Sequence, residues 1–220
     1  MQIDQIKTIV CYGDSNTYGY NPENKKRYSE DIRWTCQLQR LLGEEYRVIS
    51  EGCNGRTTVF SERKEKWKRG DRYLRPCLNS HKPVALVLLM LGTNDFKKMF
   101  HTNPAKVARG MEKCIRIIQE FTKEKQGESA QILLVSPPHI GADIIHGPFR
   151  KSFRERAAAY SVELKDYYKK LAKKYGCHFL DASKYVEFSR IDSLHLTAEA
   201  HGELAEIFSK CILKIMNDQS

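Results

Sequence analysis

Short apolar runs alternate along this chain with longer amphipathic stretches. TIVCY (8–12), YRVI (46–49), VALVLLML (84–91), QILLVS (131–136) and CHFL (177–180) have the length and aliphatic content of strands. The third and fourth are apolar throughout, as strands covered on both faces of a parallel sheet are. Between the last three runs the period changes. Val107, Met111, Cys114, Ile118 and Phe121 recur at three- and four-residue steps, which lines up one face of a helix. Asn103-Pro104 opens that helix, with proline in its first turn. A second long helix is predicted over 150–175. A last one starts after Thr197, a natural N-cap, and buries Leu204, Phe208, Cys211, Ile212 and Ile215. Residues 61–82 hold no clear period and read as a loop with a short helix. No repeat, low-complexity tract or linker interrupts the pattern.

Strand–helix alternation with right-handed crossovers builds an open parallel sheet between helical layers. The predicted fold class is therefore α/β, a three-layer α/β/α sandwich around about five strands, with residues 1–220 as a single domain. Such sheets bind ligands outside the carboxyl ends of their strands. That rule directs attention to the residues following each apolar run.

Composition narrows the class without naming a chemistry. The 220 residues are 41% hydrophobic, enough for a core without metal or disulfide support. MQIDQIK is polar and unlike a secretory leader, and VALVLLML is too short to span a bilayer, so a cytoplasmic protein without a membrane partner is expected. Seven cysteines, an odd number with no CxxC pair, read as buried thiols in a reducing compartment, and no metal or other cofactor is expected. The net charge of +10 is densest in RKEKWKRGDRYLR (63–75), followed by RKSFRER (150–156) and KKLAKKYG (169–176). Charge of this kind attracts polyanions weakly and salt-sensitively. No nucleic-acid-binding motif accompanies it, so no specific nucleic-acid partner is expected.

Four polar, glycine-bearing clusters stand at the predicted rim. Gly13-Asp14-Ser15 follows the first strand, and Gly52-Cys53-Asn54-Gly55-Arg56 follows the second. Gly92-Thr93-Asn94-Asp95 follows the third, and Asp192-Ser193-Leu194-His195 precedes the last helix. A serine hydroxyl is a poor nucleophile until a base takes its proton, and a histidine oriented by a carboxylate is the common base. Ser15, His195 and Asp192 supply that set. The order Ser…Asp…His occurs in α/β-hydrolases, but no GxSxG elbow surrounds Ser15.

Together the four clusters resemble those of the GDSL, or SGNH, hydrolase family, over nearly the whole chain. DIRWTCQLQRLLG, EGCNGRTT and LMLGTNDFK are similar to the bacterial arylesterase and acyltransferase branch. The resemblance implies a flavodoxin-like sheet and a serine esterase acting on small esters. Its oxyanion hole would be the N–H groups of Ser15 and Gly55 with the Asn94 amide, and acyltransferase or perhydrolase side activity would follow where the site is dry. It also admits a homo-oligomer in which residues 20–30 or 61–75 wall in a neighbouring site. Carbohydrate deacetylation by the same residues is the alternative enzymatic reading. A polyanion-binding protein with idle chemistry is the alternative of another class.

Each cluster has a plainer reading. Gly13-Asp14-Ser15 alone suits a turn, Gly55 a positive φ, Asn94 an Asx-turn, Asp95 and Asp192 caps, and His195 a surface histidine. Their joint occurrence in order favours chemistry. Tyr18, Trp34, Phe96, Met99, His139, Ile140, Ile144 and Phe149 are candidate pocket residues, with core packing an equal account of Trp34. Ser136 is the weaker nucleophile, since proline follows it and no acid is evident. His81, His101, His146, His178 and His201 read as incidental.

Overall fold

A computed structural model describes residues 6–62 and 64–218. Most of the polar start and Arg63, at the head of the basic stretch, lie outside the described residues. Five strands, β1 (Lys7–Gly13), β2 (Tyr46–Gly52), β3 (Leu86–Met90), β4 (Gln131–Ser136) and β5 (His178–Asp181), form one sheet in the order β2-β1-β3-β4-β5. Every neighbouring pair is parallel. This is the flavodoxin-like winding, whose order reverses between β1 and β3.

Period-two alternation sorts the strand residues into two cores. Leu86, Leu88 and Met90 of β3 join Ile9 and Cys11 of β1 against α2 (Trp34–Leu42) and α6 (Ala198–Asn217). Val87 and Leu89 join Val10 and Tyr12 against α3 (Gly70–His81), α4 (Pro104–Gln126) and α5 (Arg156–Tyr175). The first α-helix in the chain, α1, is the single turn Ser15–Tyr18. The predicted cap holds, the Thr197 side chain accepting from the Ala200 N–H, and Asn103 before Pro104 caps α4 by accepting from the Lys106 N–H.

Two helices and the cysteines differ from the sequence reading. The helix expected from residue 150 starts at Arg156, because residues 147–153 fold into turns and the Ser152 carbonyl accepts from the Lys98 N–H. Residues 70–81 form a regular α3 although Pro76 lies within it. The sequence signal was there in Leu74, Cys77 and Leu78, all buried. Of the seven cysteines, all free, only Cys11, Cys77 and Cys114 are fully buried, fewer than expected. No helix among the described residues is long and apolar enough to cross a membrane.

Strand register sets up the rim. Gly13 pairs with Gly52 on one side and with Met90 on the other, so β1, β2 and β3 end level with one another. The loops that follow them therefore open onto one place, at the point where the strand order reverses.

Candidate active site

Two glycines let α1 sit directly on the strand ends. A Cβ at Gly52 would lie 2.1 Å from the Tyr18 nitrogen, and one at Gly13 would lie 2.0 Å from the Thr17 hydroxyl. Asp14 caps the turn by accepting the Asn16 N–H at 3.1 Å, and Ser15 takes its first position, 8% exposed.

The opposite side of the site is the 189–196 loop. Asp192 Oδ1 accepts the N–H groups of Leu194 (3.0 Å) and His195 (2.9 Å), closing a tight turn. The second oxygen, Oδ2, lies 2.7 Å from His195 Nδ1. His195 Nε2 in turn lies 2.9 Å from Ser15 Oγ. One carboxylate thus shapes the loop and orients the ring, leaving Nε2 for the hydroxyl. Burial alone would push the Asp192 carboxyl up, but the His195 hydrogen bond and charge, with the two N–H groups, hold it below its ordinary value.

A third side comes from the loops after β2 and β3. Gly55 has φ +78°, and a Cβ there would meet only the flexible end of Lys68, so backbone conformation rather than crowding demands glycine. Neither the Ser15 nor the Gly55 N–H donates to another group of the described residues. The Asn94 amide nitrogen donates to the Arg56 carbonyl at 3.2 Å and to Asp14 Oδ2 at 3.3 Å. Asp95 is not the cap considered above. It is fully buried and accepts from the Thr58 N–H and hydroxyl. Burial pushes Asp14 up to about 6 and Asp95 up to about 7.

The pocket candidates divide. Phe149 packs edge-on against the His195 ring, 5.4 Å between centroids. Trp34 is corrected to a core residue: it has no exposed surface, its indole N–H donates to the Asn16 carbonyl at 2.9 Å, and its ring meets Phe208. Ile140 and Ile144 are likewise core, and Phe96 packs beside Tyr160. Met99 is exposed, and Tyr18 lies under the Arg27 guanidinium. His139 is half-buried, its Nε2 without a hydrogen-bond partner, and burial holds its pKa down. A cavity of about 660 Å³ opens beside Phe96 and Tyr160, lined also by Lys97, Lys98, Arg154 and Arg156. Neither Ser15 nor His195 lines it.

Two further residues stand at the site with no role assigned to them from the sequence. Tyr20 lies against the His195 ring, 4.2 Å between centroids, brought there by the left-handed turn at Gly19. Arg56 is buried, donates to the Gly13 and Glu51 carbonyls, and covers the Tyr12 ring, tying β1 to β2 below Asn94. Nothing in a single sequence separates Tyr20 from Tyr18, and although Arg56 stands in the cluster after the second strand, nothing in the sequence shows that its side chain turns inward. His81, read as incidental, pairs with Glu51 at 2.9 Å. With Cys77 these two bring metal-type ligand atoms within 4.8 Å of one another, but the hydrogen-bonded pair already accounts for the contact. Ser136 is buried and stands beside Asp181, its register partner in β5.

The residues 11–202 match the model of the GDSL-like lipase/acylhydrolase family. Among solved structures, Est24, a carbohydrate acetylesterase from Sinorhizobium meliloti, is 31% identical with a TM-score of 0.89, over 95% of this chain and 99% of that one. The M. smegmatis aryl esterase is 30% identical with a TM-score of 0.88, over 94% of this chain and 99% of that one. A search of curated proteins finds no match.

Proposed function

The chain belongs to the GDSL-like lipase/acylhydrolase family and is a carboxylic ester hydrolase, and from that premise we propose that it cleaves small esters through an acyl-enzyme on Ser15. The observation that carries this reading is the continuous hydrogen-bonded path from Ser15 Oγ through His195 to Asp192.

In this mechanism Ser15 Oγ attacks the ester carbonyl carbon while its proton passes to His195 Nε2. The carbonyl oxygen takes the negative charge, facing the N–H groups of Ser15 and Gly55 and the Asn94 amide. Asn94 then exchanges its long contact with Asp14 for the oxyanion. As the tetrahedral centre collapses, the bond to the alcohol oxygen breaks and the imidazolium protonates that oxygen. Water next gives a proton to His195 and attacks the acyl carbon. Ser15 Oγ leaves, recovers the proton, and the carboxylic acid departs. Another alcohol or hydrogen peroxide in place of that water gives acyl transfer or perhydrolysis. We assign the enzyme to the cytoplasm on its free thiols.

A labelled organophosphonate tests the assignment. One equivalent is expected on Ser15, located by mass spectrometry, and none in Ser15→Ala. An adduct on Ser136 or any other residue overturns it.

Deacetylation of a carbohydrate is the second reading, favoured by the likeness to a carbohydrate acetylesterase at the same level as to an aryl esterase. A kcat/KM on acetylated sugars far above that on p-nitrophenyl acetate decides for it, and the reverse decides for simple aryl esters.

A further inference from the structure

The residue after the nucleophile is Asn16. Its side chain uses both ends across the site. Oδ1 accepts the Leu196 N–H at 3.2 Å, and Nδ2 donates to the Leu194 carbonyl at 3.5 Å. These are the residues on either side of His195. The backbone of Asn16 is also engaged: its N–H donates to Asp14 at 3.1 Å and its carbonyl accepts the Trp34 indole N–H at 2.9 Å. The residue is 4% exposed, so little water competes for these bonds.

We infer that Asn16 is a positioning residue that fixes the distance between His195 Nε2 and Ser15 Oγ. This inference rests on the serine-esterase reading above.

The argument is geometric. The 189–196 loop is well bonded within itself, through Asp192 to Leu194 and His195 and through the Ser189 N–H to the His195 carbonyl. Those bonds fix the shape of the loop. They do not fix its place relative to Ser15, which lies 180 residues earlier in the chain. The Asn16 side chain bonds the loop backbone on both sides of the base from within the same helical turn as the nucleophile. Leucine would fill comparable volume and make neither bond. The loop would then be referenced to α1 by the Tyr20 ring against His195, which carries no directional bond, and by the Ser15–His195 contact itself, which is the bond that breaks and re-forms in the reaction.

The test compares Asn16→Leu and Asn16→Ala with the parent enzyme. Parental phosphonate labelling on Ser15 is established first, so that failure of the serine reading is seen separately from failure of this one. In the variants kcat for p-nitrophenyl acetate is expected to fall about 10- to 100-fold with KM within threefold, because proton transfer is sensitive to displacements of about 1 Å. Phosphonylation of Ser15 should slow in parallel while circular dichroism remains parental. Asn16→Asp keeps the acceptor for Leu196 and should retain an intermediate kcat. Its added charge beside the imidazole should move the acidic limb of the pH–rate profile upward. A folded Leu or Ala variant with kcat within threefold of the parent overturns the inference, as does a loss carried by KM. So does inactivity that follows only from loss of folded protein, which would make Asn16 a residue of the fold alone.

Discussion

Asn94 and Asp95 are neighbours in sequence and do opposite work. Asn94 points its amide at Asp14 and the Arg56 carbonyl, and the proposed mechanism makes it an oxyanion donor. Asn94→Ala removes that donor, and kcat for p-nitrophenyl acetate is expected to fall about 10²–10³-fold with a smaller change in KM. Asp95 points the other way, into a pocket closed by Thr58. Burial raises its carboxyl from 3.8 to about 7, so the folded protein keeps a proton that the unfolded chain releases. Its contribution to stability is thus full below pH ~4 and is lost as pH rises towards 7. The stability of the parent relative to Asp95→Asn, from urea melts, should therefore fall between about pH 4 and 7. A difference that is flat or rises over that window counts against the assignment. At this scale the sequence carried residue types well and orientations poorly. Ser15, Asn94, Asp192 and His195 stood out because four polar clusters each lay at an expected strand or helix end. Tyr20 did not, and Arg56 stood in such a cluster with no readable role, because ring contacts and buried carbonyl partners leave no pattern in spacing.

Helices α2 and α6 meet through a contact that neither announces by itself. Arg33 at the start of α2 offers no side-chain cap. The Trp34 N–H donates instead to His201 Nδ1 at 3.3 Å, from the first turn of α6. His201 has no exposed surface, and burial, with the nearby His195 adding to it, lowers its pKa to about 4. Its ordinary value is 6.5, so the unfolded chain takes up a proton that the folded one refuses. Stability from this group is present above pH ~6.5 and is lost as pH falls towards 4. His201→Asn keeps an acceptor near the Nδ1 position without the titration. The parent should lose stability relative to that variant between about pH 6.5 and 4, a comparison open to thermal melts in a buffer series. Most elements were readable from period and caps, although α2 was not among the helices expected. Strand β4 has the expected bounds, α4 starts at Pro104, and α6 starts after Thr197. The exceptions are instructive: α3 tolerates Pro76, and the head of the expected 150–175 helix is diverted into turns by a backbone bond to Lys98.

At the scale of the molecule, one sheet separates two cores and carries the rim on its carboxyl end. Leu88, in the central strand β3, belongs to the core shared with α2 and α6 and has no exposed surface. Leu88→Ala should lower unfolding stability by about 2–5 kcal/mol, measured by urea denaturation. The alternation of apolar residues, the caps and the four polar clusters are local properties, and the sequence alone determined from them an α/β sheet and a rim bearing a hydroxyl, an imidazole, a carboxylate and an amide. Tertiary structure alone decided which loops touch. The level ends of β1, β2 and β3, the approach of α1 that Gly13 and Gly52 permit, and the bonds of Asn16 across 180 residues depend on register and packing between distant segments. Periodicity reports which face a side chain takes on its own element and carries no distance to another.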